Sequence, residues 1–312
     1  MRIAFVFPGQ GSQSVGMLGG FADNETVRGA LARADEALGF SIERLIAEGP
    51  AEELNLTVNT QPAVLASSVA FYEAWLAAGG QKPELLAGHS LGEYSALCAA
   101  GVFPLEEAVK LVRFRAEAMQ SAVPVGVGGM AAIIGLSDED VEAACVAGRA
   151  AGTVEAVNFN SPGQVVIAGH REGIEKACEI AQKKGARRAL KLAVSAPFHS
   201  SLLVGAAKQL AERLAQIDVM APAIDVIANV DVAVHHEPQD IRDILSRQAA
   251  SPVQWVKTMH EMEKLSVTHM IECGPGKVLT GLARRCVPSI PCYPVHSAET
   301  LEAALQSLSA AG

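Results

Sequence analysis

The sequence predicts an α/β protein, in which a large domain built on a mostly parallel sheet is interrupted by a smaller domain with a sheet of its own. Three observations lead there. Strand-like apolar runs alternate with helical patterns along most of the chain, the arrangement of a parallel sheet covered by helices. Half of the 312 residues are hydrophobic and only 4% are aromatic, and small apolar side chains let helices pack closely on a buried sheet. The stretch Val123-Pro-Val-Gly-Val-Gly-Gly129 is punctuated by glycine and proline as a hinge would be, and the pattern changes after it.

Taken in order, Ile3 to Phe7 reads as a first strand, followed by the loop Pro8-Gly-Gln-Gly-Ser-Gln13. A long amphipathic segment from Pro62 to Ala78 reads as a helix, with proline where the first turn tolerates it. Leu85 to Gly88 is a short strand that runs into a helix near Glu93, and Leu105 to Met119 is a further helix. Beyond the hinge, Met130 to Leu136 is extended, Asp138 to Gly148 helical, Val154 to Phe159 and Gln164 to Ala168 extended about a turn at Asn160-Ser-Pro-Gly163, Ile174 to Lys184 helical and Arg188 to Val194 extended. The order β-α-β-β-α-β is that of a ferredoxin-like domain, assigned here to residues 126–196. The larger pattern then resumes. Helix is expected from Ser200 to Gln216 and around Ile241, Val253 and Val278, with strands at Ile224 to Val230 and Thr268 to Glu272. Residues 1–125 and 197–312 thus form one α/β-hydrolase-like domain, and the cleft against the inserted domain is the natural binding site.

Composition narrows the function. A net charge of −9 argues against a general nucleic-acid binder. The six cysteines are far apart, with no C-x-x-C pair and no histidines at metal-ligand spacing, so neither a metal site nor a disulfide framework is expected. The N-terminus lacks the pattern of a secretory signal, and no run approaches the ~20 apolar residues of a membrane span. A cytoplasmic, monomeric enzyme without membrane association is expected.

Gly88-His-Ser-Leu-Gly92, between strand and helix, is a G-x-S-x-G elbow that thrusts a serine hydroxyl out of a tight turn. Ser90 is the candidate nucleophile. A serine hydroxyl needs a base to attack a carbonyl, and of the eight histidines His199, in Pro197-Phe-His-Ser200 at the junction of the two domains, is best placed. The carboxylates between Ser90 and His199 fall on helix faces, with none at a strand end where a hydrolase triad would place its acid. A Ser-His dyad is therefore expected, its imidazole oriented by an amide or a main-chain carbonyl, with Gln248 as candidate. The Gly9-Gln-Gly11 loop has the character of an oxyanion hole, with the N–H groups of Gln10 and Leu91 as donors. Asn160, in the predicted hairpin turn, is a candidate for the pocket.

These segments carry a resemblance. Phe7-Pro-Gly-Gln-Gly-Ser-Gln13, Gly88-His-Ser-Leu-Gly-Glu-Tyr-Ser95, Met130-Ala-Ala-Ile-Ile-Gly135, Val157-Asn-Phe-Asn-Ser-Pro-Gly-Gln164, Pro197-Phe-His199 and Gln254-Trp255 resemble, in order, the malonyl-CoA:acyl carrier protein transacylases of type II fatty acid synthesis. The resemblance implies a ping-pong transfer of malonyl from coenzyme A to Ser90 and on to the phosphopantetheine thiol of acyl carrier protein. No cofactor beyond the coenzyme A thioester is implied. It also implies that Arg115, in the helix after the elbow, grips the malonyl carboxylate, for which a planar guanidinium is suited. Phe198 matches the family's malonyl-type pattern, in which a bulky ring leaves little room for an α-methyl group. Acyl carrier protein is acidic, so a basic docking patch is expected at Lys183, Lys184, Arg187, Arg188 and Lys191, or at Arg284 and Arg285. A serine thioesterase, a non-enzymatic carrier-protein module, and relatives serving polyketide assembly or malonate decarboxylation remain as other readings.

Overall fold

The computed structural model describes residues 1–194 and 196–311. Strand β1 (Ile3–Phe7) is apolar and buried at every position, as a strand covered on both faces must be. It is followed by β2 (Leu85–Gly88), β3 (Gly128–Ile134), β4 (Val154–Ser161), β5 (Gln164–His170), β6 (Arg188–Lys191), β7 (Asp225–Ile227), β8 (His269–Cys273) and β9 (Cys292–Val295). Among the described residues these form two sheets. The larger has the order β7-β2-β1-β8-β9, with every pairing parallel.

Because successive strand side chains point to opposite faces, β1 and β2 feed two cores. Phe5, Phe7 and Leu86 pack with the helix Thr57–Ala77 and its neighbours, while Ala4, Val6, Leu85 and Ala87 pack under Trp255, Met259 and Leu282. The helix Thr57–Ala77 starts five residues before the expected Pro62, which therefore stands inside it. An interior proline costs about 3 kcal/mol in an isolated helix. Here the helix is buried nearly all round, and that packing outweighs the local penalty.

The smaller sheet is antiparallel with the order β4-β5-β3-β6, and the helices Asp138–Gly148 and Arg171–Lys183 pack against it. Its first strand lies between its third and fourth, which is the ferredoxin-like arrangement expected from the element order. Two details differ from expectation. The hairpin turn is only Pro162-Gly163, because Ser161 already pairs with Gln164, so Asn160 lies within β4 and not in the turn. Strand β6 ends at Lys191, although the Leu192 main-chain N–H still donates to Met130 (2.9 Å), and Leu192 and Val194 line the cleft.

The small sheet is stitched to the large domain beside that cleft, through the connection after the helix Pro238–Gln248. Phe159 donates its main-chain N–H to Val253 (3.0 Å), and Val253 donates to Val157 (2.8 Å). The expected helix from Ser200 divides into a short 3-10 turn, Ser201–Leu203, and the α-helix Val204–Leu214.

Candidate active site

The elbow is built by close backbone contact. A Cβ on Gly88 would lie 1.8 Å from the Gly92 carbonyl carbon, and one on Gly92 would lie 2.0 Å from the Phe7 carbonyl oxygen, so only glycine fits either side of Ser90. Ser90 itself has φ 54° and ψ −109°, outside the regions a serine ordinarily occupies, and the turn is held by its neighbours. Asn229, just beyond β7, clamps it: its Oδ1 accepts from the Ser90 N–H (2.7 Å) and its Nδ2 donates to the Gly88 carbonyl (2.7 Å).

The strained turn delivers the serine oxygen to a histidine 109 positions away. Ser90 Oγ lies 2.6 Å from His199 Nε2. The other ring nitrogen, Nδ1, lies 2.9 Å from the main-chain carbonyl of Gln248, which can only accept. Nδ1 therefore carries the proton, and Nε2 is left as the acceptor facing the hydroxyl. Burial and the Arg115 charge together lower the His199 pKa to about 3, so the ring is neutral across the physiological range. His199 also has a positive φ, 65°, and its main-chain N–H donates to Ala249 (3.1 Å).

Gln248 is the last residue of the helix Pro238–Gln248. Its carbonyl faces the imidazole, while its side-chain amide does other work: Nε2 donates to the Ser90 carbonyl (2.9 Å) and to Glu93 (2.7 Å), and Oε1 accepts from Arg115 (2.9 Å).

Arg115 projects from the helix Leu105–Ser121 and is 1% exposed. Its Nη2 reaches Ser90 Oγ at 3.2 Å and its Nη1 donates to Gln61 Oε1 at 2.8 Å. Arg113, two positions away, points elsewhere, over the Phe40 ring and toward Glu117.

A cavity of about 110 Å³ opens onto this cluster and is lined by Ser90, His199, Arg115, Gln10, Leu91, Gln61, Phe198 and an apolar wall that includes Met119, Met130, Leu192 and Val194. Gly9 lets the loop carrying Gln10 lie against the elbow, since a Cβ there would come within 2.5 Å of the His89 carbonyl oxygen. Asn160 is a correction. It does not line the cavity but stands behind His89, whose Nε2 lies 2.7 Å from its Oδ1. The register of β4 is irregular between Phe159 and Ser161, and this break in the alternation lets Asn158 line the cavity while Asn160 does not.

Sequence reasoning missed Glu93, Asn229 and Gln61. Glu93 is fully buried, and burial raises its pKa to about 7 against the opposing effect of its hydrogen bonds and of Arg115. A signal was present, since a carboxylate in the apolar run Leu91-Gly-Glu-Tyr-Ser-Ala-Leu97 has no reason to be there unless something inside receives it. Asn229 and Gln61 carried none, because each is defined by a contact with residues more than 50 positions away. Among the described residues no group of three or more His, Cys, Asp or Glu is placed to hold a metal ion, and no helix is long and apolar enough to cross a membrane.

The geometry can be set beside known proteins. Residues 4–302 match the acyl transferase domain family. The chain is 50% identical over 305 residues to a malonyl CoA-acyl carrier protein transacylase of Salmonella typhimurium, covering 97% of this chain and 99% of the relative. It superposes on the crystal structure of an acyl-carrier-protein S-malonyltransferase from Burkholderia pseudomallei with a TM-score of 0.97 and 59% identity, covering 98% of this chain and 100% of that one. A second similar structure, with a TM-score of 0.97 and 45% identity over 98% of this chain and 100% of that one, is a malonyl-transacylase in complex with a type II polyketide acyl-carrier protein. A nucleophile elbow facing a neutral histidine, on a fold shared from end to end with these proteins, makes this chain a member of the acyl transferase domain family, among the malonyl CoA-acyl carrier protein transacylases.

Proposed function

We propose that the protein transfers malonyl from malonyl-CoA to the phosphopantetheine thiol of acyl carrier protein through a malonyl ester on Ser90, supplying malonyl-ACP for fatty acid synthesis. The observation that carries this reading is the convergence on one oxygen: Ser90 Oγ lies 2.6 Å from the His199 acceptor nitrogen and 3.2 Å from the Arg115 guanidinium. The first contact makes a nucleophile. The second sets a carboxylate receptor within one small acyl group of it.

The steps follow from these positions. His199 Nε2 takes the Ser90 proton as Oγ bonds to the thioester carbonyl carbon. The oxygen that becomes negative is received by the N–H groups of Gln10 and Leu91. Collapse of the tetrahedral adduct breaks the carbon–sulfur bond, and the imidazolium returns its proton to the departing coenzyme A thiolate. The carrier thiol then gives its proton to His199 and reverses the sequence, breaking the serine ester. Throughout, the Gln248 carbonyl holds the ring by Nδ1–H. Arg115 takes the free malonyl carboxylate, exchanging neutral partners for an anion, and Phe198 narrows the pocket beside the reacting carbon.

Residues 126–196 serve as an inserted lobe that closes one side of the cleft. The carrier protein docks by its acidic surface on basic side chains near the mouth, where Lys191 precedes the cavity-lining Leu192. Part of that charge is already engaged, Lys184 by Asp140 (2.7 Å) and Lys191 by Glu175 (2.6 Å), so Arg187 and Arg188 are the stronger candidates.

Intact-mass measurement after mixing with malonyl-CoA, followed by peptide mapping, tests the reading. A single malonyl adduct on the peptide bearing Ser90 is expected, absent in Ser90→Ala and discharged by carrier-protein thiol faster than by water. Labelling elsewhere, or discharge only to water, would replace it with a different acyltransferase or a thioesterase.

A further inference from the structure

The reaction as drawn uses Ser90, His199 and Arg115 and leaves a buried carboxylate, Glu93, without a task. Arg115 is fully buried, yet among the described residues it makes no ion pair. Its hydrogen-bond partners are the Gln61 amide, the Gln248 amide and the Ser90 hydroxyl, and the Tyr94 ring lies beneath it at 5.2 Å. A buried guanidinium with no opposing charge is costly, whereas a carboxylate bound directly to it would occupy the fork a substrate must enter.

The structure holds an intermediate arrangement. Arg115 Nη2 donates to Gln248 Oε1 (2.9 Å), and Gln248 Nε2 donates to Glu93 Oε2 (2.7 Å), so one amide separates the cation from an anion. The same Oε2 accepts from the Asn229 main-chain N–H (3.2 Å), while Oε1 is buried without a partner among the described residues.

We propose that Glu93 is the internal counter-ion of Arg115, acting through the Gln248 amide as a positioning residue that keeps the guanidinium charged and open and limits its hold on the substrate carboxylate. The inference rests on the reading of Arg115 as receptor for that carboxylate. Its consequence is specific. A substrate anion on Arg115 is attracted by the guanidinium and repelled by Glu93, so part of the available affinity is withheld and the acyl group remains transferable.

Binding of intact malonyl-CoA and acetyl-CoA to Ser90→Ala, which cannot be acylated, measures this by calorimetry. The ratio of the two affinities isolates the carboxylate. At pH 8, adding Glu93→Gln should raise that ratio about tenfold, as removal of one nearby buried charge implies. An unchanged or lowered ratio overturns the proposal. Adding Arg115→Ala instead should bring the ratio close to one. If it does so while Glu93→Gln has no effect, only the counter-ion role fails; a ratio that survives Arg115→Ala removes both readings.

Should the Glu93→Gln protein not be recovered folded, Ser90→Ala alone decides. Its malonyl-to-acetyl ratio should fall several-fold between pH 6 and 8 as Glu93 ionises, and a pH-independent ratio overturns the proposal. The groups that face Glu93 are Tyr94 on its own helix, Arg115, Gln248, Asn229 and Asp231; Tyr94 is raised to about 12, outside that window.

Discussion

At the scale of single residues the site is governed by one buried charge. Burial first and the Arg115 charge second hold His199 near 3, so the free protein keeps its imidazole neutral but only weakly basic. A carboxylate on the guanidinium offsets that charge and raises the basicity of His199 when acyl transfer requires it. The pH dependence of kcat/KM for acylation, which reports the free enzyme, should therefore show no histidine limb between pH 5 and 8. In Arg115→Ala the acid limb should move up but stay below the ordinary histidine value of 6.5, because burial still lowers the imidazole, with discrimination between malonyl-CoA and acetyl-CoA falling by orders of magnitude. A limb near 6.5 in the unaltered protein would refute this. Ser90 was legible from its elbow motif and His199 from its place at the domain junction, whereas Arg115 was singled out only by the family resemblance. That Gln248 acts on the imidazole through its carbonyl was not legible, because the sequence shows which side chain is present and not which of its atoms is turned inward.

At the scale of elements, the reactive geometry belongs to a turn that two glycines permit. Gly88 and Gly92 are needed for space, and the backbone atoms they touch cannot move aside as a side chain would. Gly88→Ala should displace the elbow, destabilise the protein by about 2 kcal/mol or more, and remove acylation by malonyl-CoA even in the molecules that remain folded. Thermal melting together with single-turnover acylation checks this; near-normal values of both would mean that the elbow can relax. The positions of the other strands and the helix Asp138–Gly148 could be read directly from periodicity, whereas the edge strand β9 was not anticipated. The early start of Thr57–Ala77 could not, since burial on nearly every side erases the amphipathic signal and lets an interior proline stand. The displacement of Asn160 from turn to strand had a similar cause, because a two-residue Pro-Gly turn and a longer one share the same composition.

At the scale of the whole molecule, two buried ionisable groups pull stability in opposite directions with pH. Glu93 is raised from 4.5 to about 7, so its contribution is complete below pH 4.5 and lost as pH rises through about 7. His199 is lowered from 6.5 to about 3, so its contribution is complete above pH 6.5 and lost as pH falls toward 3. The Tm of the unaltered protein should therefore fall relative to that of Glu93→Gln between pH 5 and 8, and a constant difference across that range would show that Glu93 does not change charge on unfolding. By itself the sequence determined the α/β class, the inserted β-α-β-β-α-β unit and the glycine-flanked elbow, because strand and helix periodicity and turn chemistry are local properties; Arg115 was singled out only by the family resemblance. Only the tertiary structure decided that Asn229 clamps the elbow, that Gln61 and Gln248 cradle the guanidinium, and that Glu93 lies one amide away from it. Those relations join five separate stretches of chain, and their energies exist only once burial has removed the water that would otherwise satisfy each group alone.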